Sequence, residues 1–403
     1  AEGYRLSNDP EKTDIILINT CGVKKPTGDR IIERIRHLSQ LNRPLIICGC
    51  LPRINPKAIQ KAAPNFAAML DPRSVDRIVK AARFAQNGGR NIFFFSEVPP
   101  PKLSQPMLRL SRVIEIIAIS EGCLGSCAYC CVRFARGRLH SFPKDDILEK
   151  VKKAVSEGIK EIWLTSQDSG AYGRDIGTNP AELLNECSEI SGRFMIRVGM
   201  MNPNHALGIL PELVESFKSK KIFNFLHLPV QSGDNEVLKK MNRRYTVEEF
   251  KKTVEAFRKE IPNLTLSTDI ICGFPGEDSM AFENTISLIK EVKPDIVNVS
   301  KFFPRPGTPA EKMKQLDVKL IKDRSRRLSE IVRSISLEGN KRWLGWEGEI
   351  LVDEKGKDSS WIGRNMAYKP IVVKSKENLI GRFLKVKVTK AFSTYLEADI
   401  VND

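Results

Sequence analysis

The sequence has no run of about eighteen apolar residues, so it predicts no membrane-spanning helix. Its N-terminus, Ala1-Glu-Gly-Tyr-Arg5, lacks a basic-then-apolar pattern, so no secretory signal is expected. It also lacks a starting Met, which suggests that the chain has been trimmed. The nine cysteines are an odd number with three of them clustered, which favours metal ligation in a reducing compartment over disulfides. We therefore expect a cytoplasmic protein with no membrane partner.

Acidic residues are outnumbered, because 65 Lys and Arg stand against 49 Asp and Glu and leave a formal net charge of +16. A charge of this size attracts polyanions, with nucleic acid as the leading candidate, although a generally basic proteome would produce the same excess. The 403 residues are enough for two or three domains, and a hydrophobic fraction of 41% supports a packed core.

Three thiols lie within eight residues, Cys123, Cys127 and Cys130, directly after the apolar run 113–120. Thiolates at such spacing bind soft metals, and four equivalent ligands would suit zinc or a closed iron–sulfur cluster. The nearest fourth candidate, Cys131, adjoins Cys130, and neighbouring side chains point in different directions. Three ligands on a four-iron cluster leave one iron open to an outside ligand. A knuckle of buried or zinc-bound thiols is the alternative.

This stretch resembles the cluster motif of the radical S-adenosylmethionine (SAM) enzymes. The resemblance implies that Cys123, Cys127 and Cys130 hold a 4Fe-4S cluster. It also implies that the open iron binds the amino and carboxylate groups of SAM and delivers the electron that breaks its C–S bond. An external electron donor is then a required partner.

The first ninety or so residues predict a small parallel α/β domain. Residues 14–19 and 44–47 are apolar runs typical of buried strands. A helix is expected from about Asp29, and two more helical stretches follow the second strand. Parallel sheets place ligands beyond the carboxyl ends of their strands, where Cys21 and Cys50 would both lie.

The segments Asn19-Thr-Cys21-Gly-Val23 and Cys48-Gly-Cys50-Leu-Pro52 resemble the N-terminal domain of the methylthiotransferases. The resemblance implies a second, auxiliary 4Fe-4S cluster held by three cysteines, of which Cys21 and Cys50 match and Cys48 is an extra thiol. The family's first ligand belongs to a Gly-Cys-x-x-Asn segment that this sequence lacks. We therefore expect a chain that has lost its first strand and that ligand, with the auxiliary cluster defective or absent and a less stable domain.

Beyond the proline-rich linker 97–101, six strand-like runs alternate with amphipathic helical patterns. The runs are 113–120, 161–165, 194–198, 223–228, 264–271 and 296–303. Six strand–helix units predict an open partial barrel rather than the full eightfold one, with its chemistry at the carboxyl ends of the strands. Polar loops follow the first five strands, and although each alone would be an ordinary turn, together they indicate a site.

The resemblance to the radical enzymes implies seven residues around SAM: Tyr129, Gln167, Asp168, Arg197, Gln231, Ser232 and Gly273. In that arrangement residues 167 and 168 meet the amino group, residues 231 and 232 lie near the ribose, and residues 129 and 273 flank the adenine. Arg197 is the candidate partner for the carboxylate, because a guanidinium binds it bidentately. No side-chain acid or base is predicted. We interpret His227 as structural, and Cys187 and Cys272 as core thiols.

The basic segment Phe134-Ala-Arg136-Gly137-Arg138 directly follows the cysteines. We interpret it as facing phosphate or substrate, with a solvated basic turn as the alternative. The run 124–173, which includes this segment, most resembles the archaeal and eukaryotic methylthiotransferase branch that acts on N6-threonylcarbamoyladenosine in tRNA.

From about Gly345 the pattern changes to short alternating strands, at 348–352, 369–373, 383–388 and 394–400, which predict a small β-barrel. Alternation over 384–390 is expected to place Leu384, Val386 and Val388 inside and three lysines outside. Such lysines suit phosphate contacts, and protection of an edge strand is the alternative. The segment resembles a TRAM domain, an RNA-binding barrel. The predicted domains are thus 1–95, 102–338 and 339–403.

The resemblance covers essentially the whole chain and implies a tRNA methylthiotransferase that adds a methylthio group to C2 of N6-threonylcarbamoyladenosine beside the anticodon. One SAM would methylate a sulfur at the auxiliary cluster, and a second would yield the 5′-deoxyadenosyl radical that takes the C2 hydrogen. Two alternatives stay open. One is another acceptor, either isopentenyladenosine in tRNA or an aspartate of a ribosomal protein. The other is a metal-bearing RNA-binding protein without turnover.

Overall fold

The computed structural model describes residues 3–22, 24–107, 109 and 111–401. Ala1, Val23 of the Asn19–Val23 motif and Asp403 at the end of the third predicted domain lie outside the described residues. The chain divides into two compact units. The first unit contains Ala1–Leu108, Glu121–His140 and Phe303–Met313, and the second contains Arg109–Ser120, Ser141–Phe302 and Lys314–Asp403.

The N-terminal part of the first unit is a four-stranded parallel sheet. Its strands, in spatial order, are β1 (Ile16–Thr20), β2 (Leu45–Gly49), β3 (Ala68–Leu70) and β4 (Ile92–Phe94). The helices are α1 (Lys25–Ser39), α2 (Leu51–Ile54), α3 (Pro56–Ala62) and α4 (Ile78–Gln86). Helix α1 begins at Lys25, earlier than the predicted Asp29, because the fixed φ of Pro26 suits a first helical turn. Both predicted strands are confirmed.

The larger part of the second unit contains two three-stranded parallel sheets. In spatial order they are β5 (Ile114–Ala118), β8 (Glu161–Thr165) and β9 (Met195–Val198), and then β10 (Phe225–His227), β11 (Thr265–Cys272) and β12 (Ile296–Lys301). A parallel bridge from Ile196 to Ile222 connects β9 to the segment just before β10. All six predicted strands are therefore present, and the open partial barrel is confirmed.

Helices alternate with these strands along the chain, and α13 follows the last of them: α6 (Lys144–Ser156), α7 (Pro180–Glu189), α8 (Pro203–Leu207), α9 (Leu210–Ser216), α10 (Asn235–Lys240), α11 (Val247–Glu260), α12 (Ser279–Val292) and α13 (Val318–Lys341). Helix α11 shows why they form. A capping box between Thr246 and Glu249 satisfies the first backbone donors, and the buried face carries Phe250, Val254 and Phe257 as the spacing predicts. No helix among the described residues is long and apolar enough to cross a membrane.

The loop that carries the cysteine motif lies between β5 and α6 in the chain and belongs to the first unit. Two short strands, β6 (Ser120–Glu121) and β7 (His140–Ser141), stand at its two ends, and α5 (Val132–Arg136) follows the cysteines. Helix α5 ends at Gly137, whose φ of 69° and ψ of −156° are essentially accessible only to glycine.

The C-terminal residues form a closed five-stranded barrel. Its strands in spatial order are β13 (Glu347–Lys355), β14 (Ser360–Arg364), β15 (Pro370–Lys374), β17 (Leu396–Ile400) and β16 (Phe383–Ala391). The sequence prediction missed β14, which contains Gly363 and lies after a tight turn. Val386 and Val388 are buried in the barrel core, whereas Leu384 is only half-buried.

The predicted lysine row lies on the outside of the barrel, since Lys385, Lys387 and Lys390 are exposed. Strict alternation would have put Lys390 on the same side as Val388. A shift in the pairing register of β16 and β17 between Val388 and Lys390 is a β-bulge, and it turns Lys390 outward.

Candidate active site

The three predicted cluster cysteines lie in one loop, whose backbone is closed by short hydrogen bonds. The Cys123 N–H donates to the Gly137 carbonyl at 3.2 Å, and the Cys130 N–H donates to the Cys127 carbonyl at 3.1 Å. All three cysteines are half-buried. Burial raises the pKa of the Cys130 thiol to about 12, so this thiol stays protonated until a metal displaces the proton.

Gly125 lies between two of the sulfurs and supplies a donor to one of them. A Cβ at this position would lie 3.3 Å from Cys123 Sγ and 3.7 Å from Cys127 Sγ. The Gly125 N–H donates to Cys123 Sγ with an N–S distance of 3.2 Å. Hydrogen bonds of this kind stabilise the charge of a cluster thiolate. The loop therefore fits an iron–sulfur cluster.

Among the described residues, no group of three or more His, Cys, Asp and Glu is spaced to hold a single metal ion. In a zinc knuckle all ligands meet at one ion, whereas each thiolate of a four-iron cluster binds a different iron. That Cys123, Cys127 and Cys130 are its ligands stays a prediction.

Two further predicted ligands follow the ends of neighbouring strands in the first unit. Strands β1 and β2 pair with Thr20 opposite Gly49, so that Cys21 and Cys50 come next at the same edge of the sheet. The Cys50 N–H donates to the Thr20 carbonyl at 3.0 Å. Cys50 is buried and Cys21 is exposed. The structure thus brings this pair to one sheet edge, and its role in ligation stays a prediction.

Cys48 has a different environment from this pair, because it lies within β2. Its thiol donates to the Ile18 carbonyl at 3.4 Å, and burial raises its pKa to about 11. A fourth cysteine that sequence reasoning set aside, Cys131, is buried and packs with Cys50, Ile54 and Ala135. No sequence pattern links it to them. The structure thus brings Cys131 into contact with the group that contains Cys50, which the sequence did not indicate.

In the second unit, Asp168 is fixed by two hydrogen bonds at the end of β8. One carboxylate oxygen is 2.7 Å from His205 Nδ1, and the other accepts the Asn202 N–H at 2.9 Å. The side chain of Asn202 in turn accepts from Arg243 at 2.8 Å. His205 lies on α8 and was missed from the sequence, because nothing in its spacing links it to Asp168. These contacts tie the loop after β8 to the loop after β9.

Arg197 extends from β9 into a set of aromatic rings. Its guanidinium carbon lies 4.8 Å from the ring centre of Trp163, 5.0 Å from Phe225 and 5.4 Å from Tyr368. Its Nε is buried and has no hydrogen-bond partner within the described chain. The guanidinium is therefore attracted to the quadrupoles of three aromatic rings, which hold it in place. Its predicted pairing with the SAM carboxylate stays a prediction.

The loop after β10 has a strained backbone at one of the predicted SAM residues. Gln231 has a φ of +72° and bridges to β11, since its N–H donates to the Asp269 carbonyl at 2.8 Å and its carbonyl accepts from Ile271 at 3.0 Å. Ser232 beside it is buried, with its hydroxyl 3.5 Å from that of Thr285. Backbone conformations of this kind occur often at ligand sites.

Gly273 and the two half-buried residues Tyr129 and Gln167 complete the predicted set. Gly273 has a φ of +79°, and a Cβ there would lie 2.4 Å from Ile321, so only glycine fits. His227 Nε2 lies 3.2 Å from Asp269 Oδ1, and its interpretation as a structural histidine stays a prediction. The predicted core thiols Cys187 and Cys272 are both buried, and burial raises the pKa of each to about 12.

The partial barrel and the cysteine loop define a radical S-adenosylmethionine enzyme, and residues 117–289 match the family model of the Radical SAM superfamily. Residues 1–71 match the model of Uncharacterized protein family UPF0004, and residues 341–401 match the TRAM domain. The chain belongs to the threonylcarbamoyladenosine tRNA methylthiotransferase family, as its relatives show. The predicted resemblance is thereby confirmed.

Two of these relatives come from distant organisms. The probable threonylcarbamoyladenosine tRNA methylthiotransferase of Pyrococcus horikoshii is 46% identical over 405 residues, which covers 99% of this chain and 93% of that protein. The threonylcarbamoyladenosine tRNA methylthiotransferase of Homo sapiens is 34% identical over 411 residues, which covers all of this chain and 70% of that protein.

A solved structure supports the fold alone. The radical S-adenosylmethionine methyltransferase TsrM from Kitasatospora setae, with a tryptophan substrate and a SAM analogue bound, aligns with a TM-score of 0.55 at 13% identity. The alignment covers 80% of this chain and 78% of that chain.

Proposed function

We propose that the chain is a radical-SAM transferase that adds a methylthio group to C2 of N6-threonylcarbamoyladenosine next to the anticodon of tRNA. The observation that carries the proposal is the loop of Cys123, Cys127 and Cys130 after the first barrel strand, in a chain that matches the family along its whole length. The other acceptors considered from the sequence have no support among the relatives described above.

The cluster loop is proposed to bind its cofactor through the three thiols alone. When bound, a 4Fe-4S cluster with SAM supplies the one-electron cleavage of a C–S bond, and an external donor is proposed as the source of the electron. The chain's own contribution is the Gly125 N–H, which donates to Cys123 Sγ and stabilises negative charge on it. Half-burial of the thiols limits the access of water to the site.

The second unit is proposed to orient SAM through side chains that are already fixed. Asp168 and Gln167 would accept hydrogen bonds from the amino group of SAM. The carboxylate of Asp168 is held in position for this by His205 and Asn202. Arg197 would bind the carboxylate of SAM from its setting of aromatic rings. Preorganised groups lose little freedom when the ligand binds, which is why such contacts favour the reactive geometry.

The remaining predicted SAM contacts are the loop of Gln231 and Ser232 near the ribose, and Gly273 and Tyr129 at the adenine. Support comes from the buried, glycine-requiring turn at position 273 and the bridged backbone at position 231.

Cys21 and Cys50 are proposed as ligands of a second 4Fe-4S cluster, the auxiliary one. Their position after the ends of the paired strands β1 and β2 supports this, because parallel sheets place ligands beyond the carboxyl ends of their strands. The exposed lysines of β16 are proposed to contact tRNA phosphates. A cytoplasmic location is proposed from the nine cysteines, whose thiols suit a reducing compartment.

Anaerobic reconstitution with iron and sulfide, followed by iron counting in the wild type and in Cys123→Ala, tests the cluster assignment. About eight irons falling to about four would indicate two clusters, and about four falling to none would indicate the radical cluster alone. Cys187→Ala is the matched control, because it removes a buried core thiol and should keep the wild-type iron count. No iron in the reconstituted wild type would contradict the proposal.

The acceptor is tested by incubating the reconstituted chain with SAM, a reductant and tRNA that carries either threonylcarbamoyladenosine or isopentenyladenosine. We expect 5′-deoxyadenosine, together with the mass gain of one methylthio group replacing hydrogen, only on the threonylcarbamoyl nucleoside. Modification of the isopentenyl nucleoside alone would overturn the substrate assignment while leaving the enzyme class intact.

A further inference from the structure

The first unit contains a cavity of about 490 Å³ next to the segment that follows the cysteines. Its lining includes Arg73, Arg133, Arg138 and His140, with Glu97 as the only acidic residue among the lining residues described. Ligand pockets typically have volumes of about 300–1,000 Å³, so this cavity is large enough for a ligand. We call the three arginines with this cavity the arginine pocket.

The arginines after the cysteines have different environments, which the sequence could not distinguish. Arg136 is paired, because it lies 2.8 Å from the buried carboxylate of Glu121, which it shares with Lys102 at 2.6 Å. The side chains of Arg133 and Arg138 have no hydrogen-bond or ion-pair partner in the part of the chain that the structure describes. Residues 133–138 therefore offer two unpaired guanidinium groups, those of Arg133 and Arg138, to the pocket.

The third arginine of the pocket is buried and held in one position. Arg73 is 8% exposed, and it donates to the carbonyls of Glu97 and Arg138, the latter at 3.2 Å. Its Nε is buried and has no partner within the described residues. Gly137 leaves room for it, since a Cβ there would lie 2.0 Å from Arg73 Nη2. Carbonyl oxygens orient this guanidinium without neutralising its charge.

The one carboxylate at the pocket weakens this positive charge only slightly. Glu97 has a side chain that is 85% exposed, and it already pairs with Arg53 at 3.1 Å. Three guanidinium groups against one solvent-screened, paired carboxylate leave a net positive site. An anion with several acceptor oxygens is the ligand that such a site favours, because each guanidinium presents parallel donors that match phosphate geometry.

The wall of the pocket and the cluster loop share one stretch of backbone. The Gly137 carbonyl accepts the N–H of Cys123, and a Cβ on Gly122 would lie 2.0 Å from the Arg138 carbonyl. Arg138 is therefore the next residue in the chain after the carbonyl that fixes Cys123. Such a position suits a substrate whose backbone must be held beside the reacting centre.

We propose that the arginine pocket binds a backbone phosphate of the tRNA substrate. The proposal rests on the proposed function, which makes tRNA the polyanion that this chain must hold. Arg73 supplies a fixed charge, and Arg133 and Arg138 close on the phosphate from the surface. The contact is independent of base sequence, because phosphates carry no sequence information, and it adds to the affinity through release of counterions.

Binding of a tRNA transcript to the full chain, measured by fluorescence anisotropy from 50 to 300 mM KCl, tests the pocket. The double variant Arg133→Gln/Arg138→Gln should bind about tenfold more weakly at 100 mM KCl, with a log–log salt slope reduced by about one to two. Arg30→Gln/Arg34→Gln on α1 is the charge-matched control in the same unit, since both residues are exposed. It should bind within about twofold of the wild type.

A change of opposite sign sharpens the test. Glu97→Gln removes the one carboxylate at the pocket and should tighten binding by about two- to threefold. Thermal unfolding of each variant verifies the fold, and if the double variant is destabilised, the exposed single variant Arg138→Gln decides. Wild-type affinity and slope in the variants would overturn the pocket and leave the proposed function standing. A wild-type chain that does not bind tRNA would overturn both.

Discussion

Tyr368 of the C-terminal barrel donates a hydrogen bond to the buried carboxyl group of Glu161 on β8, with 2.9 Å between the two oxygens. Glu161 is 0% exposed and also accepts from Trp163 Nε1. The Tyr368 ring packs on Phe223 and Phe225, with centroids 4.7 and 5.1 Å away. Tyr368 therefore connects the C-terminal barrel to the open partial barrel through both polar and apolar contacts.

We expect Tyr368→Phe to lower the free energy of unfolding by about 1–3 kcal/mol, because it removes one hydrogen bond from a buried carboxyl group while keeping the ring. Equilibrium guanidinium unfolding measures the change. Tyr395→Phe is the matched control, since that ring stacks on Phe392 near the surface, and it should change the value by less than about 0.5 kcal/mol. Equal losses in both variants would contradict the role of the buried bond.

Glu161 should also make stability depend on pH. Burial, and secondly the neighbouring carboxyl group of Asp353, raise the pKa of Glu161 to about 7. The folded chain then binds the proton more tightly than the unfolded chain, whose ordinary carboxyl pKa is about 4.3. The contribution of the protonated Glu161 to the free energy of unfolding is therefore fully present below about pH 4.3 and is lost as the pH rises through 7.

Glu161→Gln should remove this part of the pH dependence, because the amide stays neutral and can still accept a hydrogen bond. Guanidinium unfolding at pH 5, 6, 7 and 8 compares the two chains. We expect the free energy of unfolding of the wild type to fall between pH 5 and pH 7 relative to that of the variant. Parallel curves for the two chains would show that Glu161 is already ionised at pH 5.

Substitutions in the Asp168–His205 pair distinguish a structural role of these residues from a role of Asp168 in binding SAM. His205→Ala should lower the free energy of unfolding by about 2–3 kcal/mol, because it leaves a buried carboxylate with one partner fewer and opens a cavity. Asp168→Asn keeps the shape but removes the charge. If Asp168 binds the amino group of SAM, the affinity of the Asp168→Asn variant for SAM should fall about tenfold, equivalent to about 1.4 kcal/mol.

Isothermal titration of SAM into the anaerobically reconstituted variants measures this affinity. Asp175→Asn is the control, since Asp175 accepts the N–H of Ser141 at 2.8 Å in the same unit but lies outside the predicted SAM residues. It should leave the affinity for SAM within about twofold. Unchanged affinity in Asp168→Asn would remove this residue from the proposed site.

Gly137→Ala should disrupt the cysteine loop. Its backbone conformation costs a non-glycine residue about 1–3 kcal/mol, and the added Cβ would also overlap the guanidinium of Arg73. Gly88→Ala is the matched control in the same unit, because Gly88 has a φ of +78° with nothing within 4 Å of an added Cβ.

Both variants should lose stability through backbone strain, and Gly137→Ala alone should also retain less iron after reconstitution, because Cys123 donates to the Gly137 carbonyl. Guanidinium unfolding and iron counting measure the two effects. Iron retention at the wild-type level in Gly137→Ala would show that this carbonyl does not fix the loop.

The strands were predictable from sequence, because the apolar runs before Ser120, Thr165 and Val198 are each bounded by polar loops. Strand β14 was not predictable, since Gly363 interrupts its pattern and its burial depends on partners in β13 and β15. Propensity is a weak prior for such a strand, and the closure of the barrel decides.

Within the candidate site, the spacing indicated soft-metal binding by the three cysteines and the resemblance implied a cluster, whereas the contacts of charged side chains could not be predicted. The sequence could not show that Arg136 is paired and Arg138 is not, because Glu121 lies before the cysteines and approaches only when the loop folds back. His205 was missed for the same reason, since its partner Asp168 is 37 residues away. Local patterns predict ligands that are close in sequence, and they give no information about tertiary ion pairs.

The closed pairing of strands in the C-terminal barrel limits which groups could contact an RNA there. Backbone N–H and C=O groups of the paired strands already serve one another, so an RNA on this surface is contacted by side chains and loops. Lys385 and Lys387 are exposed, and Lys387 lies 2.7 Å from Glu347. An ammonium group attracts phosphates equally along any strand. If the barrel contacts tRNA as proposed, it adds affinity for RNA of any sequence, and discrimination between adenosines takes place elsewhere in the chain.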